Sequence, residues 1–127
     1  MYKRQLYRRE LEAAGHVFDP MRVAVARNVF VAQDAAEKHE AIRRQARVHD
    51  RLLSLSRGSE SRPSHILAYA DTPGRDAHSL IGPAEEIVER CAALEEVGVA
   101  YVLLFGQGSR DNLRRFAEKV MPEFRAP

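Results

Sequence analysis

Seven consecutive residues, Val99 to Phe105 (VAYVLLF), carry no charge and are bracketed by Gly98 and Gly106. A run of that length and composition reads as a strand, and the lack of alternation with polar residues predicts a parallel strand covered on both faces. An amphipathic helix leads into it. Gly82-Pro83 opens that helix, Glu85 and Glu86 sit at its positive end, and Gly98 closes it; Ile87, Cys91, Leu94 and Val97 form its apolar stripe. A second helix follows, capped by Ser109, with Leu113, Phe116, Ala117, Val120 and Met121 as the expected inward face and Pro122 as its stop. Helix, buried strand, glycine turn and helix form the repeating unit of α/β folds.

The earlier part of the chain repeats the pattern. Met21 to Ala32 (MRVAVARNVFVA) is rich in strand-forming residues, and Asp34 followed by Glu37 is the spacing of a capping box opening a long helix. Ile42, Ala46, His49 and Leu53 supply the apolar stripe of that helix, while Arg43, Arg44, Arg47, Asp50 and Arg51 supply its wet face. Upstream, Leu6 to Ala14 reads as a short helix closed at Gly15. Arg57 to Ser79 alone lacks sustained periodicity; its Gly58, Pro63, Pro73 and Gly74 punctuate turns.

Several segments share their wording with one family. Ile81-Gly82-Pro83-Ala84-Glu85-Glu86, Gly98-Val99 with Val102-Leu103-Leu104, and Asn112-Leu113-Arg114-Arg115-Phe116-Ala117 with Val120-Met121-Pro122-Glu123-Phe124 stand in the order of a helix start, a strand and a closing helix. Together with Val31-Ala32-Gln33-Asp34-Ala35-Ala36-Glu37, this chain resembles the C-terminal portion of the luciferase-like flavin-dependent monooxygenases. The resemblance implies the last part of a (β/α)8 TIM barrel. Such a barrel takes about 250 residues and eight strands, so 127 residues with about two parallel strands and four helices imply an incomplete barrel. It also implies a parent oxidoreductase that uses FMN or a deazaflavin coenzyme on a small-molecule substrate, with no cofactor bound by this chain alone. The aperiodic stretch, Arg57 to Ser79, would then lie near the substrate pocket. A different class remains open, a small standalone α/β module that acts through protein contacts and pairs its strand edges in an oligomer.

Met1-Tyr2-Lys3-Arg4-Gln5 matches what a transposon mosaic-end oligonucleotide of sequencing libraries encodes when its GTG is read as a start. Residues 1–5 are therefore expected to be a library scar, and residues 6–127 the barrel portion. Without Lys3 and Arg4, the 18 remaining basic residues equal the 18 acidic ones and the net charge of +2 vanishes. The other basic residues interleave with acids along helices, which is the pattern of a solvated face rather than a nucleic-acid footprint. No apolar run is long enough to cross a membrane and no signal peptide precedes the first helix, so a cytoplasmic location is expected. A single cysteine, Cys91, rules out an intramolecular disulfide.

Candidate site residues are few. Arg27 and Asn28 interrupt an apolar strand, and in a barrel one of them points inward; Arg27 could meet a flavin or substrate anion, or serve as an ion-pair partner. Gly106, Gly108 and Ser109 lie between the last strand and helix, where free N–H groups favour anions, although Ser109 as a plain cap accounts for the same residues. His39 and His49 lie ten apart, and neither they nor His65 and His78 have ligand spacing for a metal. The catalytic residues remain unassigned.

Overall fold

The computed structural model describes residues 2–56, 79–106 and 109–124. In chain order these form α1 (Tyr2–Ala13), a 3-10 turn (Pro20–Arg22), β1 (Ala24–Val31), α2 (Ala35–Ser56), β2 (Leu80–Gly82), α3 (Ala84–Glu96), β3 (Tyr101–Phe105), α4 (Arg110–Lys119) and a second 3-10 turn (Met121–Phe124). The mixed α/β class is as expected. The stretch from Arg57 to His78 and the Leu53 side chain lie outside the described residues.

The helix ends follow from local chemistry. Gly15 and Gly98 adopt φ near +80°, and in each case two backbone N–H groups turn back: Gly98 N–H to Glu95 O and Val99 N–H to Leu94 O, Gly15 N–H to Glu12 O and His16 N–H to Leu11 O. Both are glycine-terminated Schellman ends. Asp34 caps α2 by accepting from Glu37 N–H at 2.8 Å, and Glu37 returns to accept from Gln33 N–H at 2.9 Å. Pro83 stands at the N-cap of α3 rather than inside the helix, and Ser109 accepts from Asn112 N–H at the start of α4.

All three strands are parallel, in the order β2-β1-β3. β1 pairs along Ala24–Asn28 with Tyr101–Phe105 and along Val29–Val31 with Leu80–Gly82. The expected adjacency of the two long runs is therefore observed. β2 is an addition; three residues are too few for a periodic signal, and it pairs with the far edge of β1. The path from β1 to β2 runs one way and that from β2 to β3 returns across β1. Right-handed crossovers in opposite directions place their helices on opposite faces, as in doubly wound sheets.

One face carries Val25, Arg27, Val29, Val31, Leu80, Val102 and Leu104. On it Val29, Val31 and Leu80 form the buried core with Ile87 of α3 and Val120 after α4, flanked by Val88, Cys91 and Phe116. On the other face Ile81 is buried, and α2 is the second helix packed on β2. That cover does not extend over β3. Tyr101, Leu103 and Phe105 are 45–50% exposed, which corrects the expectation of a strand buried on both faces. Absence of alternation in a sequence reports apolar residues on both faces, but not whether a helix exists to cover each.

The inward face of α4 also differs from the expectation. Phe116 and Val120 pack on the core, but Leu113 is 52% exposed, Ala117 and Met121 face solvent, and Asn112 is buried. The helix is turned by about one residue because the Asn112 amide has a specific partner in the sheet.

Candidate functional site

In parallel α/β sheets the carboxyl ends of the strands, where helix N-termini converge, are the usual place for ligands. In this chain the described part of that end is built around the last residue of β1. Past Asn28 the β3 strand no longer pairs with β1. Asn112 continues the ladder in its place: its Oδ1 accepts from Val31 N–H and its Nδ2 donates to Val31 O, both at 3.0 Å. A primary amide offers the same donor and acceptor as a peptide group, so one side chain of α4 substitutes for a strand residue.

Charged groups extend from this point along the first turn of α2. Arg115 of α4 donates to Glu37 at 2.9 Å and to Val31 O at 3.3 Å. The next residue, Lys38, reaches Glu86 of α3 at 2.6 Å. Glu86 also pairs with Arg90, whose Nη1 donates to Ser79 O at 2.6 Å. These three ion pairs have side chains only 26–34% exposed, so they are less screened than the surface pairs along α1 and α2. Gly82 belongs to the same arrangement, because a Cβ there would stand 2.5 Å from Glu86 Oε2. The arrangement Arg115–Glu37, Lys38–Glu86–Arg90 locks α2, α3 and α4 around the sheet end, and each of these five charged groups is taken up by another.

Of the four residues singled out from sequence, the three described ones have separate local roles. Gly106, at φ +146°, ends β3 against β1; a Cβ would approach Val29 N and O to 3.1 Å, so its role is close backbone approach. Ser109 is the α4 cap. Gly108 lies outside the described residues. Arg27 pairs with Leu104 in register and so stands on the helix-covered face, while its neighbour Asn28 shares the open face with Phe105. Of the pair, Asn28 is the residue that a barrel interior would receive. Arg27 instead lines a cleft of about 350 Å³ near the amino end of β1, with Arg4, Tyr7, Val23, Val25 and Leu94.

Two further groups have displaced proton affinities. Burial pushes the Cys91 thiol up, consistent with an unreactive side chain at the core edge. Hydrogen bonding from Arg47 holds the exposed Glu40 carboxyl below its usual range. Among the described residues no three His, Cys, Asp or Glu side chains group as a metal site, and no helix is long and apolar enough to cross a membrane.

Sequence reasoning missed Asn112, the Glu37–Arg115 pair and the Lys38–Glu86–Arg90 set. Glu37 and Glu86 had a local signal as helix-start acids, and Arg90 stands four residues after Glu86 on the same helix; the Arg115 and Lys38 partners lie 78 and 48 residues away. No protein-family model, curated protein or solved structure matched the chain in comparisons with known proteins.

Proposed function

We propose that this chain is the C-terminal portion of a flavin-dependent oxidoreductase of the luciferase-like kind, inactive by itself. The observation that carries the reading is the side-by-side parallel pairing of β1 with β3, where β1 leads into the Val31–Glu37 segment and β3 lies between the Ile81–Glu86 and Asn112–Phe124 segments that resemble that family. Under this reading the part of the open face holding Ala24, Ala26, Asn28, Tyr101, Leu103 and Phe105 would line the barrel interior, closed by further strands, and α2, which packs on the same face at β2, would have to lie outside it in the parent. FMN or a deazaflavin coenzyme would supply the redox chemistry in the parent, and the barrel would position it against a small-molecule substrate. The locked ion pairs at the strand ends would keep the α2, α3 and α4 starts in place around the mouth.

A second reading, a standalone α/β module that works through protein contacts, is favoured by the strand order β2-β1-β3, which is that of an open sheet rather than of consecutive barrel strands. One experiment separates them. The full chain is titrated with FMN while flavin fluorescence and light scattering are followed together. The fragment reading expects no saturable binding and a self-associating protein. Saturable micromolar binding by a monodisperse chain would refute it, whereas a monodisperse chain that ignores FMN would favour the module. In-frame coding sequence upstream of Leu6 that reads as six more βα units would establish the fragment directly.

A further inference from the structure

Arg27 is half-buried on the helix-covered face of β1, and its only hydrogen bond among the described residues is from Nη1 to the neighbouring Ala26 O at 2.9 Å. Among the described residues no carboxylate pairs with it, and its Nε and Nη2 donors have no acceptor. Those two N–H groups point in parallel and form the side-on fork with which a guanidinium grips a carboxylate. Burial lowers the proton affinity of Arg27, as expected for a cation that has lost water and gained no anion.

The surroundings define what would complete it. The cleft of about 350 Å³ is at the small end of ligand pockets, and among the described residues no acid lines it. Val23, Val25 and Leu94 give it apolar walls, and Tyr7 adds a ring and a hydroxyl. Arg4 adds positive charge, with Nη1 donating to Val97 O and Nη2 to Gly98 O at the end of α3, so its planar group is turned toward those carbonyls. One free fork beside apolar walls fits a monovalent carboxylate with a hydrocarbon body. A phosphate, with three oxygens to satisfy, would find too few donors.

We propose that the cleft between α1, β1 and the end of α3 binds a small amphipathic carboxylate, with Arg27 gripping the carboxylate and Val23, Val25 and Leu94 holding the apolar body. The site lies at the amino end of the strands, away from the carboxyl end to which the flavin reading assigns the chemistry, and does not depend on it.

Equilibrium dialysis of the full chain against radiolabelled octanoate tests the site, with 1-octanol and inorganic phosphate as parallel probes. Saturable octanoate binding is expected, with Arg27→Met weakening it about tenfold or more, the loss of a charge-assisted hydrogen bond. Arg27→Met removes an unpaired half-buried charge, so it should fold at least as well as the parent; Arg27→Lys, which keeps charge and loses the fork, should fall between the two. Arg4→Gln should weaken binding only a few-fold, because Arg4 adds charge and Arg27 supplies the fork. Leu103→Lys, on the open face of β3, should leave octanoate binding unchanged. Octanol binding as tightly as octanoate, phosphate binding as tightly as octanoate, equal affinity in Arg27→Met, or loss of binding in Leu103→Lys would each overturn the proposal.

Discussion

At the scale of single residues, Asn112 does more than its position in the sequence suggests. Replacing it with leucine keeps the volume but leaves Val31 N–H without its partner and Val31 O with only the longer bond from Arg115. A buried peptide group left unpaired costs about 1–3 kcal/mol, so Asn112→Leu should lower the urea-unfolding free energy by that amount although the new residue is more hydrophobic. An unchanged midpoint would mean that the amide brace is energetically idle. Cys91 makes a second residue-scale prediction. Its thiol is raised by burial, so the stability it contributes is fully present below the unfolded thiol pKa and is lost as pH rises through the folded one. Native protein should therefore react with iodoacetamide far more slowly than urea-unfolded protein, and Cys91→Ala should lose less stability than the parent between pH ~8 and pH ~10.

At the scale of elements, α4 shows how one polar contact resets a helix face. Apolar counting favoured Leu113, Phe116, Ala117, Val120 and Met121, a broad stripe with two solutions one residue apart. The Asn112 amide selects the solution that buries residues 112, 116 and 120. Phe116→Ala should then cost about 3 kcal/mol, near the low end for a phenylalanine because the ring is only partly buried. Leu113→Ala and Arg114→Ala should each cost less than about 1 kcal/mol. Comparable losses at Leu113 and Phe116 in denaturant titrations would place the helix the other way round. β2 gives the complementary case: Leu80, Ile81 and Gly82 become a strand because β1 has a free edge beside them, and Gly82 is the residue that leaves room for Glu86.

For the whole molecule, the open side of β3 decides behaviour. Its outer edge has no partner strand in the described sheet, and Tyr101, Leu103 and Phe105 present half-exposed apolar groups beside it. Unpaired edges with apolar faces promote association between chains. Leu103→Lys puts a charge in the middle of that face without touching the core, and it should lower the light-scattering mass at a fixed concentration and raise the soluble yield. An unchanged mass distribution would show that association, if present, proceeds through another surface.

The α/β class, the helix ends at Gly15 and Gly98, the caps at Asp34 and Ser109, and the identity of β1 and β3 were legible in the sequence. Each depends on neighbours within a few residues or on the periodicity of one element, which local sterics and hydrogen bonding determine. The strand order, the third strand, the rotation of α4, the ion pairs among α2, α3 and α4, and the placement of Arg27 rather than Asn28 on the covered face were not. They arise when groups far apart in the chain compete for the same strand edge, carbonyl or carboxylate, and only the folded arrangement determines which of them meet.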